Sequence, residues 1–244
     1  MRLINKIAII TGSSSGIGEG IARAYVKEGA KVVITYLTKE KEAQEIARDI
    51  GAELCLQLDV RNRVSVDAMF QAVKEHYGSF DILVNNAGIN RTADFDKQTE
   101  EDWNEVLDVC LTGVFRCCQA ALPVINDGGR IINIGSLSGE YGGPRTPSYA
   151  CAKMGLTALT HNLARFLGER RICVNTLSPG VIGNEFTEKT MSPEVKETAL
   201  SLMIIKRFAS VDEMLGAATY LASDESSYMT AQTMSINGGA WVKA

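Results

Sequence analysis

The sequence predicts an α/β fold, on three observations. Short β-rich runs alternate with helical patterns along the chain. The first run, Lys6–Thr11, passes straight into Gly12-Ser13-Ser14-Ser15-Gly16-Ile17-Gly18, which opens a helical pattern reaching Glu28. The 244 residues are 45% hydrophobic and 22% charged, enough for a sizeable core, and α/β folds of this size often stay in one piece. No internal repeat, low-complexity run or linker divides residues 1–244, so a single domain is expected.

A net charge of −4 gives no reason to expect nucleic acid or an acidic membrane surface as a partner. No apolar run is long enough to span a bilayer. Ile7–Ile10 is too short for a signal segment and reads as the first strand. The cysteines at 55, 110, 117, 118, 151 and 173 lack zinc-ligand spacing, and the two histidines, His76 and His161, lie far apart. The expectation is a reduced, cytoplasmic protein with buried thiols and no metal.

The glycine stretch falls between a strand and a helix, the context a dinucleotide site requires. Gly12, Gly16 and Gly18 let backbone approach a pyrophosphate, and the helix start around Ile17 offers N–H groups and a partial positive charge. Ser14 and Ser15 can add hydroxyl donors; a flexible Gly/Ser turn is the plainer reading. The second strand, Lys31–Tyr36, ends in Thr35-Tyr36-Leu37-Thr38-Lys39, with no carboxylate before Glu40 to take a ribose 2′-hydroxyl. Lys39, with Thr35 and Thr38, suits a 2′-phosphate, which favours NADP(H) over NAD(H); Lys39 can equally be a solvated residue opening the helix Lys39–Ile50. Glu53–Leu58 is a strand ending in Asp59-Val60, where Asp59 can accept from an adenine amino group or cap the helix Asn62–Tyr77.

Phe80–Val84 ends in Asn85-Asn86-Ala87-Gly88, small enough to let a ribose lie close, with amides able to tie strands together. Thr99 to about Ile125 reads as one long helix capped at Thr99, with apolar positions including Trp103, Val106, Cys110 and Val114. Strand Arg130–Ile134 leads to Ser136, just past a strand end where ligands of open α/β sheets bind, so its hydroxyl can hold a substrate carbonyl. Thirteen residues on, Tyr149 opens a helix to about Leu167 with Lys153 four residues away on the same face. A free tyrosine is a poor acid or base near neutrality, and a nearby cation favours the phenolate. Such a pair can pass a proton to or from a substrate oxygen, although the same spacing also arises from a ring packed under a lysine stem. Strand Ile172–Leu177 runs into Ser178-Pro179-Gly180-Val181-Ile182. Residues 183–207 read as irregular and, with Phe186, Met191 and Leu202 to Ile205, suit a lid over a partly apolar substrate. Helix Ser210–Ala222 and strand Thr233–Ile236, closed by Asn237-Gly238-Gly239, complete the chain.

Together, Thr11-Gly12, Gly16-Ile17-Gly18, Asp59-Val60, Asn86-Ala87-Gly88, Ser136, Tyr149, Lys153, Pro179-Gly180 and Asn237-Gly238-Gly239 resemble the short-chain dehydrogenase/reductase family over essentially the whole chain. Within it the sequence is most similar to bacterial 3-oxoacyl-[acyl-carrier-protein] reductases. The resemblance implies a Rossmann fold with a doubly wound parallel sheet of seven strands. It implies a homotetramer paired through the helices near 99–125 and 147–168. It implies hydride transfer between NADP(H) and a carbonyl or alcohol, possible carriers being acyl-carrier protein or CoA. Tyr149 is then the general acid or base, Ser136 orients the oxygen, and Lys153 binds the nicotinamide ribose and assists Tyr149. The cofactor would lie along Gly12, Ser14, Ser15, Gly16, Ile17, Gly18, Tyr36, Lys39, Asp59, Val60, Asn86, Ala87, Gly88, Tyr149, Lys153, Pro179, Gly180 and Ile182.

Three positions depart from the family pattern. Cys110 stands where an asparagine usually steadies a helix kink beside a proton-relay water, which points to a slower enzyme or a different relay. Ser15 stands where many NADP-preferring relatives carry a basic residue, and Asn184 where a threonine commonly holds the carboxamide. Alternatives are a ketone reductase or alcohol dehydrogenase of specialised metabolism and, because of Cys110, a weakly active nucleotide-binding regulator. Arg116, Arg165, Arg170, Arg171, Lys206 and Arg207 can meet an acidic carrier protein or serve as ordinary surface charges.

Overall fold

Ile7–Ile10 (β1) is apolar throughout, the pattern of a strand covered on both faces. The computed structural model describes residues 1–183, 187 and 191–241. The other strands are Lys31–Tyr36 (β2), Leu54–Gln57 (β3), Phe80–Asn85 (β4), Ile125–Ile134 (β5), Cys173–Pro179 (β6) and Thr233–Ile236 (β7). All pair in parallel, in the order β3-β2-β1-β4-β5-β6-β7. The helices are Gly16–Lys27 (α1), Glu40–Ile50 (α2), Arg63–Tyr77 (α3), Glu100–Leu107 (α4), Gly113–Ala121 (α5), Leu137–Tyr141 (α6), Pro147–Leu167 (α7), Pro193–Leu202 (α8) and Asp212–Ala222 (α9). This is the doubly wound Rossmann arrangement.

Successive strand side chains point to opposite faces, so each strand feeds two cores. Ile9, Val33 and Leu83 pack with α3, α5 and α7 through Phe70, Val114 and Leu156. Their neighbours Ala8, Ile10, Val32 and Val84 pack with α1, α2 and α9 through Ile21, Ile46 and Leu221. The chain builds outward from β1 to β3, then returns to place β4 on the other side of β1. Connections after β1 and β4 therefore part, and a crevice opens at their C-terminal ends.

Boundaries moved where local chemistry outweighed periodicity. The long helix expected over Thr99–Ile125 is broken: α4 passes into a π-helical turn, Asp108–Thr112, and then into α5. One added residue barely alters the apolar rhythm, so the break is hidden in the pattern. The Thr99 cap forms, its hydroxyl accepting from Asp102 N at 3.1 Å. β5 begins at Ile125 rather than Arg130, because Ile125 pairs with Phe80 before a register shift and pairing resumes at Ile82 with Arg130. The stretch expected to be irregular holds α8, started by Pro193 in its first turn and by Ser192, which caps Val195 N. α6, five residues long, was not expected.

A buried polar chain locks the sheet behind the crevice. Asn85 Nδ2 donates to Asn133 Oδ1 at 2.9 Å, and Asn133 Nδ2 donates to Thr160 Oγ1 at 2.9 Å. Thr160 and Thr176 hydroxyls meet at 2.9 Å, so the chain joins β4, β5, α7 and β6. Asn133→Ala leaves the buried Asn85 amide only Cys118 Sγ, at 3.3 Å, and removes the donor to Thr160. It is expected to cost about 2–3 kcal/mol and to lower Tm by roughly 5–10 °C. An unchanged Tm in thermal unfolding would contradict this role.

Candidate active site

The crevice has an outer half of about 620 Å3 and an inner half of about 570 Å3. The turn after β1, the end of β2 and the loop after β3 line the outer half. The ends of β5 and β6, α6 and the first turns of α7 line the inner half. Ile17, Asn86, Gly88, Ile89 and Arg91 belong to both, so the halves form one trough.

The inner half is organised by α7. Pro147 starts the helix, which places Tyr149 in its first turn and Lys153 one turn later on the same side. Lys153 is 5% exposed. Its Nζ donates to the Ile134 carbonyl at 2.6 Å and stands 5.5 Å from the centre of the Tyr149 ring. Ser136 follows β5 and caps α6, its Oγ accepting from Ser138 N at 3.2 Å; that bond leaves the hydroxyl proton for a ligand. Gly139 lets α6 lie against α7, since a Cβ there would sit 2.8 Å from Met154 N and 2.9 Å from Lys153 C. Ser136, Tyr149 and Lys153 thus line one chamber, with Pro179, Gly180 and Ile182 on its far wall. Asn184 and Phe186 lie outside the described residues.

The outer half has the features of an anion cradle. Gly12 has φ +65, and an added Cβ would meet Ala87 Cα at 3.1 Å. Ser15 precedes α1 without capping it through its side chain, so the helix start keeps its N–H groups for a ligand. Gly12, Ser14, Ser15, Ile17, Tyr36, Lys39, Asp59, Val60, Asn86, Ala87 and Gly88 all line this half. Lys39 Nζ reaches Ser15 Oγ at 3.3 Å, a basic and hydroxylic corner beyond the end of β2. Two expected residues do not line the trough. Gly16 opens α1 with φ +62, and Gly18 packs the helix onto the strand ends, where a Cβ would come 2.5 Å from Asn86 Nδ2. Asn86 in turn donates to the carbonyls of Thr11 and Gly12, at 2.9 and 3.0 Å, which holds the crevice open.

Asp59 is not the cap of α3. That place belongs to Asn62, whose side chain accepts from Val64 N and Ser65 N. Asp59 faces the trough instead, with both carboxylate oxygens held by Arg61. The guanidinium, first by its hydrogen bonds, holds the carboxyl below the usual aspartate range. Arg61, Arg91, Glu105 and Tyr141 line the trough but were missed in the sequence. The signals for the two arginines were adjacency alone, to Asp59-Val60 and to Asn86-Ala87-Gly88. Among the described residues no group of side chains could hold a metal ion.

Cys110 is fully buried in the π turn. Its Sγ donates to Ile89 O at 3.2 Å and accepts from Ile89 N at 3.4 Å, so one thiol makes both bonds across the turn. A Cβ on Gly88 would lie 3.5 Å from this sulfur and 3.8 Å from Lys153 Nζ, so both groups flank Gly88. Sulfur bonds are weak, so Cys110→Asn is expected to raise kcat several-fold and to reshape the pH profile. Identical turnover at every pH would show that the thiol does not limit the proton path.

Behind the inner half, Arg207 grips Glu213 of α9 with two bonds of 2.7 Å, and Ser210 N adds a third at 2.9 Å. The Arg207 fork, then Ser210 N, pulls the Glu213 carboxyl down to about 2. A depressed carboxylate stabilises above its ordinary range, near ~4.3, and the effect fades as pH falls through the lowered value. Hydrogen-exchange protection of 203–207 is therefore expected to hold from neutrality to about pH 4 and to fade toward pH 2. In Glu213→Gln it is expected to be low throughout. A wild-type loss of protection centred near ~4.3 would contradict the clamp.

Known proteins resemble this chain in sequence and in fold. A family model described as Enoyl-(Acyl carrier protein) reductase matches residues 12–240. The 3-oxoacyl-[acyl-carrier-protein] reductase FabG of Thermotoga maritima is 38% identical over 247 residues, covering 98% of this chain and 99% of its own. That of Staphylococcus aureus is 36% identical over 245 residues, covering 98% and 99%. Among solved structures, a short-chain dehydrogenase/reductase from Serratia marcescens superposes with a TM-score of 0.92 at 32% identity, covering 98% of this chain and 99% of that one. A blue fluorescent protein from a metagenomic library, in complex with NADPH, superposes with a TM-score of 0.92 at 29% identity, covering 99% and 100%. Matches of this extent, over a trough that carries Ser136, Tyr149 and Lys153 on one wall, make the chain a member of the short-chain dehydrogenase/reductase family and an NAD(P)-dependent oxidoreductase.

Proposed function

We propose that the protein reduces the ketone of a 3-oxoacyl thioester with NADPH. The observation that carries this reading is the buried Lys153 ammonium, fixed at Ile134 O and set beside the Tyr149 ring in the chamber that Ser136 also lines. Two hydroxyls and one cation at the same wall suit a carbonyl oxygen that must gain a proton. Their names for the relatives, 3-oxoacyl reductases, support the substrate class.

Bound NADPH supplies the hydride. The residues of this chain do the rest. Ser136 donates its free hydroxyl proton in a hydrogen bond to the ketone oxygen. Tyr149 gives that oxygen its phenolic proton as the carbon is reduced. Lys153 steadies the negative charge left on Tyr149, and its remaining N–H groups hold the nicotinamide ribose. The turn after β1 and the start of α1 take the pyrophosphate, and Lys39 with Ser15 takes the 2′-phosphate. This corner is the support for NADP(H) over NAD(H).

Residues 183–207 serve as a lid, supported by the exposed side chains of Leu202, Ile204 and Ile205. Assembly as a homotetramer through α5 and α7 is supported by exposed Phe115, Met154 and Phe166 on those helices. A cytoplasmic setting is supported by six free thiols. They are not all buried as expected, since Cys151 is exposed. Docking of a carrier protein has thinner support. Arg116, Arg170 and Arg207 are already paired with Asp108, Asp127 and Glu213. A specialised-metabolism ketone reductase that takes carrier-free substrates is the second reading, favoured by those occupied arginines.

Turnover on acetoacetyl and crotonyl thioesters tests the reading. NADPH-dependent reduction of the 3-oxo compound is expected; reduction of only the enoyl compound would overturn it. Tyr149→Phe is expected to lower kcat by about 10²–10⁴ while NADPH still binds. Lys39→Ala is expected to weaken NADPH roughly tenfold and to leave NADH within about twofold. Equal losses for both cofactors would remove the 2′-phosphate assignment.

A further inference from the structure

Arg61 belongs to no part of the mechanism above, yet it occupies most of Asp59. A carboxylate has about four acceptor sites, two on each oxygen. Arg61 fills both sites of Oδ1, with its backbone N at 2.9 Å and its Nε at 3.0 Å. Its Nη2 takes one site of Oδ2 at 2.9 Å. One acceptor site is left, on Oδ2, in a residue that lines the outer half of the trough.

The guanidinium is itself tethered. Its Nη1 lies 3.7 Å from Glu105 Oε1 on α4, while Glu105 Oε2 accepts from Arg91 Nη2 at 2.8 Å. The Asp59 backbone is held separately, its N donating to Ser65 Oγ at 3.0 Å. Asp59 is therefore oriented from two sides. A planar fork fixes a carboxylate in a way that a single point charge does not.

We propose that Arg61 is a positioning residue that leaves Asp59 with a single acceptor site aimed at the cofactor's purine, so that the trough selects a purine bearing one exocyclic amino group over its oxo counterpart. An amino group supplies a donor where Oδ2 waits. Hypoxanthine sets a lone pair there and carries its donor one position over, at N1–H, which a carboxylate held by the fork does not follow. The inference rests on the assignment of Asp59 to the adenine end, and the experiment separates the two claims.

The probe is NADPH against deamino-NADPH, which carries hypoxanthine in place of adenine and has the same reduced nicotinamide fluorescence. Both are titrated into the full chain without substrate, and the ratio of their Kd values is the readout. Wild type is expected to favour NADPH about tenfold, as for one hydrogen bond to a charged acceptor. Asp59→Asn and Arg61→Met are each expected to bring the ratio within about twofold of one. Arg61→Lys keeps the charge without the fork and is expected to lower the ratio as well, which preserves the test if Arg61→Met folds poorly. A role in general scaffolding would weaken both ligands alike and leave the ratio untouched. If Arg61→Met and Arg61→Lys keep the wild-type ratio while Asp59→Asn loses it, the role of Arg61 is overturned and the adenine assignment stands. A wild-type ratio near one overturns the adenine assignment and the inference with it.

Discussion

A buried ammonium must find a partner or lose its charge, and among the described residues its hydrogen-bond partner is one carbonyl. Lys153 Nζ bonds Ile134 O at the end of β5, with the side chain 5% exposed. Core packing through Ala152, Leu156 and Leu167 seats α7 on the sheet, and that bond ties it to the end of β5 one turn after Tyr149. It requires β5 to end in register beside β6, where Ile134 pairs with Leu177. It requires a glycine at 139 so that α6 and the Ser136 cap can approach α7. The ammonium, the phenol and the serine hydroxyl are thus placed by packing before any ligand arrives, the condition under which fixed charges act most strongly on a reaction.

The opposite wall of the trough is built from different forces. Surface ion pairs are individually weak, but here they run in series from Asp59 through Arg61 and Glu105 to Arg91. Glu105 stands on α4, and the π turn that follows α4 carries Cys110 against Ile89. Segment 86–91 is therefore pinned to the helix twice, once by a charge pair and once by sulfur. The two ends of the trough share this segment, so the same two contacts shape both.

Much of this was legible from residue types. Strands buried on both faces show as continuous apolar runs, which is why β1, β2 and β4 lie within a residue of their expected spans; β7 matches its span as a half-buried edge strand. Gly12, Lys39, Ser136, Tyr149 and Lys153 all came to the trough because each sits just past a strand end or at a helix start. What stayed hidden depends on chain geometry that periodicity does not encode. The π turn adds one residue without disturbing the spacing of Val106, Cys110 and Val114. Gly18 reads as a ligand glycine but answers to the Asn86 amide. Asp59 reads equally as an adenine acceptor or a helix cap, and only the fold shows that Asn62, three residues later, holds the cap. Arg61 carries no pattern at all; only the fold shows that its charge is spent on Asp59.

The preorganised ammonium is tested most directly by a crystal structure of the complex with NADP+ at neutral pH. Lys153 Nζ is expected to stay within hydrogen-bond distance of the Ile134 carbonyl while its remaining donors meet the nicotinamide ribose. An ammonium that has left Ile134 and swung toward the substrate chamber would contradict the claim that this one bond holds the site in its working form.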